Sequence, residues 1–135
     1  MLFRSANVMT DGLHTDAWCR SSTRWPVVAL QAHSAPLDVL FYYGESFPSA
    51  FRKGAFITLH GSWDRTVPTG YKVVHVAVGE DGMPSSPPTT ILVGQVPAAS
   101  GFRPVGLTVL PSGVLLVSSD TGNSSVIALG YSPSM

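Results

Sequence analysis

The sequence predicts an all-β fold, a partial β-propeller with about one complete four-stranded blade and most of a second, because it repeats itself and carries little charge. The repeat pairs residues 36–41 (PLDVLF) with 104–109 (PVGLTV), 54–59 (GAFITL) with 113–118 (GVLLVS), and 71–74 (YKVV) with 125–128 (SVIA). A period longer than one hairpin, built from short strands broken by Gly, Pro, Ser and Asp, is typical of stacked sheet units such as propeller blades. Charged residues make up only 12% of the chain, against about 25% in an average protein. This composition agrees with extensive burial of sheet surface.

Alternating and β-branched residues predict seven strands in two successive units. The strands are placed at 37–43, 55–60, 71–78 and 90–93 in the first unit, and at 105–110, 114–118 and 126–130 in the second. The glycines of 80–82 (EDG) and 111–113 (PSG) supply the positive φ that tight turns require. The third strand is apolar on both faces, which favours a sheet stacked between two neighbours. No strong helix signal appears.

The chain divides into a poorly structured lead-in over residues 1–24 and a partial propeller over 25–135, with blade one at about 33–98 and blade two at about 101–131. A propeller has about four to eight blades, each of about 40 residues or more, so a chain of 135 residues is too short to close the ring. The amino terminus lacks the apolar core and cleavage site of a signal peptide. We therefore expect a carboxy-terminal piece of a larger protein.

The most distinctive polar residues are predicted to share one rim of the blades. In an antiparallel pair, the link that enters the first strand and the link that leaves the second lie at the same end of the sheet. His33 and Arg103 enter the two first strands, while residues 60–65 (HGSWDR) and 119–123 (SDTGN) leave the two second strands. A ligand pocket at this rim is the natural expectation.

Five motifs follow one another in this region: QAHSAPL at 31–37, GAF at 54–56, HGSWDR at 60–65, PTGYKVV at 68–74 and RPVG at 103–106. Together they resemble the carboxy-terminal part of the L-sorbosone/glucose dehydrogenase family, over roughly residues 25–131. Residues 15–19 (TDAWC) are most similar to the fungal pyranose dehydrogenase branch. The resemblance implies a six-bladed β-propeller that oxidises sugars with pyrroloquinoline quinone, aided by calcium, and an external electron acceptor for the full-length protein.

The resemblance assigns binding roles, and no catalytic or metal-binding residue, to this chain. The family's catalytic histidine and its calcium-contacting loop precede this region and have no counterpart here. A planar guanidinium suits the carboxylates of the quinone, so Arg65 and Arg103 are candidate cofactor-binding residues. His33 is the third candidate on the cofactor side. His60 and Trp63 are the candidates for the substrate side of the rim.

Each candidate also has a structural interpretation. Arg65 would stabilise its turn through an ion pair with Asp64. His33 and His60 would be hydrogen-bonded structural residues at strand ends, and Trp63 would pack with one edge exposed. Asp38 is polar within an apolar strand; it would face the channel or bond to the backbone of a neighbouring blade, and we favour the structural role.

Other functions are disfavoured by the composition. Eight basic and eight acidic residues cancel, which argues against nucleic acid as a partner, and no apolar stretch is long enough to span a membrane. The four histidines show no metal-ligand spacing, and nucleophile-elbow, phosphate-loop and Cys-x-x-Cys motifs are missing. Two functions stay open: part of a quinone-dependent sugar dehydrogenase, inactive alone, or a non-catalytic sugar- or protein-binding remnant that self-associates through its open blade edge.

Two further residues bear on the cellular compartment. Cys19 is the only cysteine, so in a secreted parent its partner would lie upstream. Asn123 begins an N-glycosylation sequon, which is compatible with an extracellular location for the full-length parent.

Overall fold

The computed structural model describes residues 15–94, 101–121 and 124–132. Two antiparallel sheets form most of this part of the chain. The first, which we call blade one, has the order β1-β2-β3-β4, and the second, blade two, has the order β5-β6-β7. Their strands are β1 (Pro36–Tyr42), β2 (Gly54–Leu59), β3 (Lys72–Ala77), β4 (Thr89–Val93), β5 (Pro104–Val109), β6 (Leu115–Ser119) and β7 (Val126–Leu129).

The all-β prediction is confirmed, and every predicted strand is found within one residue at each end. Both predicted turns are also confirmed, since Gly82 and Gly113 have φ values of 76° and 84°. The register corrects the internal alignment in its second and third parts. Pro36 pairs with Leu59 and Pro104 pairs with Ser119, so residues 54–59 correspond to 114–119, one position later than the sequence suggested.

The sequence showed no strong helix signal, but two short helices are present among the described residues. An α-helix, α1 (Asp16–Ser22), lies inside the segment expected to be a poorly structured lead-in, and a short 3₁₀ helix spans Ser49–Phe51. Thr15 caps α1, because its side-chain oxygen accepts a hydrogen bond from the backbone N–H of Trp18 at 3.1 Å. Cys19 lies in this helix, is half-buried and is a free thiol.

The hydrophobic core lies between the two blades. Its fully buried members from blade one are Tyr42, Phe56 and Val73, and those from blade two are Leu115 and Val117. The rings of Tyr42 and Phe56 meet edge to face with centroids 5.7 Å apart, an arrangement that aromatic quadrupoles favour. The core therefore fixes the two sheets face to face.

Polar bonds between the blades lie at the end where β1 and β5 begin. Asp38 accepts a hydrogen bond from the backbone N–H of Leu107 at 2.7 Å, and Thr58 donates one to the backbone oxygen of Val105, also at 2.7 Å. Asp38 thus bonds to the backbone of the neighbouring blade, as the favoured structural interpretation predicted. Both β1 and β5 have a register shift here, and such bulges release backbone groups from the ladder.

Buried polar and apolar side chains fill both faces of β3. Val73, Val74 and Val76 are each 3% exposed or less, and His75 is 2% exposed. The His75 ring lies between the rings of Phe51 and Phe56, with centroid distances of 5.2 and 4.9 Å. Its Nε2 atom has no hydrogen-bond partner, and burial lowers the pKa of His75 below its usual value.

Candidate functional site

The rim predicted from the sequence is assembled as expected. Pro36 opposite Leu59, and Pro104 opposite Ser119, place the start of each first strand beside the end of each second strand. Four segments consequently meet at one end of the blades: residues 31–35, 60–71, 101–103 and 119–121. Gly122 and Asn123, which the prediction included, lie outside the described residues, and Asn123 is also the first residue of the glycosylation sequon.

Internal hydrogen bonds hold the loop between β2 and β3 in a fixed shape. The backbone N–H of Ser62 donates to the oxygen of Thr69 at 2.8 Å, and the N–H of Thr69 donates to the Ser62 hydroxyl at 3.0 Å. The phenol of Tyr71 donates to the backbone oxygen of Ser62. Gly61 has a φ of 105°, and a Cβ there would lie 2.7 Å from the Tyr71 ring. Only glycine fits at this position.

The segment before β1 is tied to the same loop. The backbone N–H of His60 donates to the oxygen of Ala35, and that of Gly61 donates to the oxygen of Ser34, both at 2.9 Å. His33 and Ala35 have φ values of 65° and 50°, which non-glycine residues adopt only where the surroundings impose them. The hydrogen bonds to the β2–β3 loop supply that constraint.

Arg103 links blade two to the loop of blade one. Its Nε donates to the backbone oxygen of His60 at 3.0 Å and its Nη2 donates to that of Gly61 at 2.7 Å. The guanidinium also lies over the Tyr71 ring, 5.1 Å from its centroid. Much of the donor capacity of Arg103 is therefore used within the protein, and the side chain fixes the loop.

Two histidine–carboxylate pairs line the rim. His60 Nε2 lies 2.8 Å from Asp120 Oδ1, and His33 Nδ1 lies 3.2 Å from Asp64 Oδ1. Because a carboxylate only accepts hydrogen bonds, Nε2 of His60 carries the hydrogen, and a neutral ring keeps Nδ1 as an acceptor. The hydrogen bond from His60 holds the pKa of Asp120 below its usual range. The first pair joins the two blades, since Asp120 follows β6.

The two remaining candidates point away from the core. Trp63 is 89% exposed, so it does not pack as the structural interpretation expected. Arg65 is exposed as well, and the ion pair expected between Arg65 and Asp64 is not formed, because the Asp64 carboxylate lies beside His33. Among the described residues, the guanidinium of Arg65 makes no hydrogen bond and no ion pair, in contrast to that of Arg103.

Sequence reasoning missed Asp120 and Tyr71 as members of the site. Asp120 is the second residue of segment 119–123, which follows β6, and only the fold shows that it reaches His60 across the blade boundary. Tyr71 stood at the predicted start of the third strand, but its φ of 55° keeps it in the loop instead. No sequence pattern predicts this positive φ at a tyrosine.

The residues at 15–94, 101–121 and 124–132 contain no group of three or more His, Cys, Asp or Glu side chains that could hold a metal ion. The same ranges contain no helix with the length and apolar character needed to cross a membrane. The rim is thus a surface of two paired histidines, one engaged and one exposed arginine, and one exposed indole.

The fold and the rim together define a structural class, two stacked antiparallel sheets that correspond to blades of a β-propeller-like domain. A model of the TrAA12-like family matches residues 3–131, and the chain belongs to that family. It is 35% identical over 135 residues to the pyrroloquinoline quinone-dependent pyranose dehydrogenase of Coprinopsis cinerea, an alignment that covers 86% of this chain and 18% of the relative.

Solved structures agree with this membership. An iodide structure of Trichoderma reesei carbohydrate-active enzyme family AA12 is 36% identical, with a TM-score of 0.74, and the match covers 93% of this chain and 32% of that one. The holo form of the pyranose dehydrogenase PQQ domain from C. cinerea is 32% identical, with a TM-score of 0.68, over 87% of this chain and 32% of that one. The chain thus spans 32% of the length of each of these solved chains. It spans only 18% of the full length of the C. cinerea relative. The predicted likeness to the pyranose dehydrogenase branch is confirmed.

Proposed function

We propose that this chain is the carboxy-terminal part of a quinone-dependent sugar dehydrogenase, that it contributes the cofactor and substrate rim, and that it is inactive alone. The observation that carries the proposal is the rim itself: a loop that both blades fix presents His60, Trp63 and Arg65, and His33 lies in the segment that is hydrogen-bonded to this loop. The pyranose dehydrogenase name of a relative supports a pyranose or related aldose as the substrate class. The narrower L-sorbosone/glucose dehydrogenase assignment is part of the proposal.

The residues present fit a quinone that carries carboxylates. The Asp64 and Asp120 carboxylates lie beside His33 and His60, so the rim presents its acidic groups already paired. Arg65 has an unengaged guanidinium, which matches the geometry of a carboxylate. When bound, the quinone would supply the oxidising chemistry that takes two electrons and two protons from the sugar.

The chain's own residues would position the ligands. Arg65 and His33 would hold anionic groups of the quinone, while Arg103, engaged by two carbonyls, would keep the loop in place and add positive charge. The exposed face of Trp63 would stack on a sugar ring, and Nδ1 of His60 would accept a hydrogen bond from a sugar hydroxyl. Asp120 would keep His60 in that tautomer.

The parts that the resemblance places in earlier blades would complete the enzyme. These are the catalytic histidine and the calcium-contacting loop, so calcium, the external electron acceptor and turnover would belong to a longer parent. An extracellular location for that parent is part of the same proposal, and so is an upstream partner for Cys19.

Equilibrium dialysis of the chain against pyrroloquinoline quinone, with and without calcium, tests the binding role. Arg65→Gln is expected to weaken binding about tenfold, which corresponds to roughly 1.4 kcal/mol. Lys53→Gln removes the same charge just before β2, at the opposite end of the blade from the rim, and is expected to leave binding unchanged. Equal affinities for both variants would overturn the assignment of the rim.

Dye reduction tests the claim of inactivity. The chain with glucose or other pyranoses, added quinone and calcium is expected to reduce no dye acceptor. Sustained turnover by the isolated chain would refute the claim that the chemistry needs further blades.

The alternative function is a non-catalytic sugar- or protein-binding module, favoured by the 89% exposure of Trp63. This function predicts a rise in melting temperature with sugar in the absence of quinone, and the loss of that rise in Trp63→Ala. A sharp monomer by light scattering whose melting temperature does not respond to sugars would remove the alternative.

A further inference from the structure

The two rim histidines bind their carboxylates through different ring nitrogens. His33 uses Nδ1 for Asp64, at 3.2 Å, and His60 uses Nε2 for Asp120, at 2.8 Å. Nδ1 is bonded to the ring carbon that joins the side chain, whereas Nε2 lies at the far end of the ring. His33 therefore presents its outer nitrogen to a ligand, while the remaining nitrogen of His60 is the inner one, beside its own backbone.

The backbone holds His33 in a fixed orientation at the rim. Its φ is 65°, and such a conformation persists only where surrounding bonds impose it. The N–H of Ser34 donates to the oxygen of Gln31 at 3.3 Å, and the oxygen of Ser34 accepts from the N–H of Gly61 at 2.9 Å. The side chain of His33 is 51% exposed. Among the described residues its Nε2 makes no hydrogen bond, so this atom is available to a ligand.

The bond to Asp64 decides which hydrogens the His33 ring can offer. A carboxylate only accepts hydrogen bonds, so Nδ1 carries the hydrogen, and in the neutral ring Nε2 has none and is an acceptor. An anionic ligand group is also only an acceptor. The neutral ring therefore has nothing to donate to such a group, and Nε2 must gain a proton before it can bind an anion.

The charged groups near His33 favour this proton. Asp64 is the charged side chain in direct contact with the ring, and Arg65 follows it in the β2–β3 loop. From blade two, Arg103 and Asp120 bring charge to the rim, and both are held by the same loop. The one charge that touches the ring is thus negative, and it stabilises the protonated form over the neutral form.

We propose that the binding of an anionic ligand group at His33 takes up one proton from solvent, which is held at Nε2. The ring becomes a cation whose Nδ1–H stays bonded to Asp64 and whose Nε2–H donates to the ligand. This inference rests on the proposed function, because it takes a carboxylate of the quinone as the anion. Arg65 needs no added proton, since a guanidinium is always charged, so it supplies the part of the affinity that does not depend on pH.

The affinity for the quinone is consequently expected to rise as the pH falls. A ligand whose binding takes up one proton binds more tightly at lower pH, by at most about tenfold per pH unit. Histidine side chains titrate between about pH 5 and 8. We expect equilibrium dialysis against pyrroloquinoline quinone to show about tenfold weaker binding at about pH 8 than at about pH 6. Calorimetry in two buffers of different ionisation enthalpy counts the protons.

Three variants identify the group that takes up the proton. His33→Gln is expected to abolish the pH dependence and the proton uptake, and to leave the weaker binding that Arg65 provides. Arg65→Gln is expected to weaken binding and to keep the proton uptake. His75→Phe is the matched control, because it removes a histidine that is 2% exposed in the core, and it is expected to keep the proton uptake as well. Circular dichroism checks that all variants fold.

Asp64→Asn separates this coupling from simple charge repulsion. The amide oxygen can still accept from Nδ1–H, but the negative charge is lost. The Asp64 carboxylate lies 3.2 Å from the ring, whereas a ligand at Nε2 lies across the ring, so Asp64 attracts the charged ring more than it repels the ligand. We expect Asp64→Asn to weaken binding about two- to fivefold at about pH 7.5, the range of an exposed ion pair. At about pH 5.5, where histidine rings already carry the proton, it should strengthen binding slightly.

The outcomes separate this inference from the proposed function. Quinone binding that depends on Arg65 but takes up no proton would overturn the inference alone. Proton uptake that persists in His33→Gln, or tighter binding by Asp64→Asn at every pH, would do the same. A chain that binds no quinone at any pH would overturn the proposed function and the inference together.

Discussion

Arg103 is the residue for which a structural role and a cofactor-binding role predict different outcomes. Arg103→Ala removes two hydrogen bonds from a charged donor, to the backbone oxygens of His60 and Gly61, and the contact with the Tyr71 ring. Hydrogen bonds to charged groups contribute about 1.5–3 kcal/mol each and an exposed cation–π contact about 0.5–1 kcal/mol. Because neighbouring contacts are not additive, we expect the free energy of unfolding to fall by about 3 kcal/mol. For a chain of this size the melting temperature would fall by about 10 °C.

Urea unfolding and thermal melts followed by near-ultraviolet circular dichroism measure this loss. Arg103→Lys keeps the charge but lacks the planar fork that reaches two carbonyls, so it is expected to recover less than half of the stability. Arg65→Ala is the matched control, and as an exposed surface change it should stay within about 0.5 kcal/mol. If Arg103→Ala lowered the free energy of unfolding by less than about 0.5 kcal/mol, the structural role of Arg103 would be refuted. The cofactor-binding role would then be the remaining interpretation.

Three other outcomes follow from single features. His75 is buried and its pKa is lowered, so the unfolded chain binds a proton at this residue before the folded chain does. The contribution of His75 to stability is therefore complete above about pH 6.5 and falls below that pH by at most about 1.4 kcal/mol per pH unit. His75→Phe should flatten this slope in urea titrations at about pH 5 to 7. Gly61→Ala should cost at least about 2 kcal/mol in the same assay, because its φ of 105° and the nearby Tyr71 ring exclude a Cβ; a neutral substitution would contradict the loop geometry. Asp38→Asn and Thr58→Val should each cost about 1–2 kcal/mol and couple by at least about 0.5 kcal/mol in a double-mutant cycle, whereas strict additivity would show that the two do not act together.

The sheet framework could be predicted from the sequence because its signals are local. Alternating apolar residues, β-branched side chains and the turn glycines at 82 and 113 act over a few residues, and all seven strands were found from them. The one-residue offset in the second part of the repeat escaped prediction, because residues 54–59 and 113–118 both begin with glycine. Only the pairing of Pro104 with Ser119 reveals the true register.

The helix α1 was missed for a different reason. Its seven residues make fewer than two full turns, which is too short for a helical period to stand out from the polar surroundings. The cap was the available signal, since Thr15 followed by an acidic residue in the first turn is a typical helix start. Short helices of this kind depend on capping and packing more than on intrinsic propensity.

The site was predicted in its location and not in its pairings. Strand polarity alone placed His33, His60 and Arg103 at one rim. Which group contacts which depends on loop conformations such as the positive φ of Tyr71, and these depend on contacts distant in sequence. Asp64 was therefore assigned to its neighbour Arg65, although the fold brings it to His33, 31 residues away.

The rim and the contact between the two blades are held in place at the same end of the sheets. Arg103 of blade two bonds to the loop of blade one, His60 of blade one bonds to Asp120 of blade two, and the Asp38 and Thr58 bonds lie at the same end of the sheets. Any change that lets the blades slide would consequently move His60 and release the loop that carries Trp63. The orientation of the candidate ligand-binding groups thus follows from blade packing.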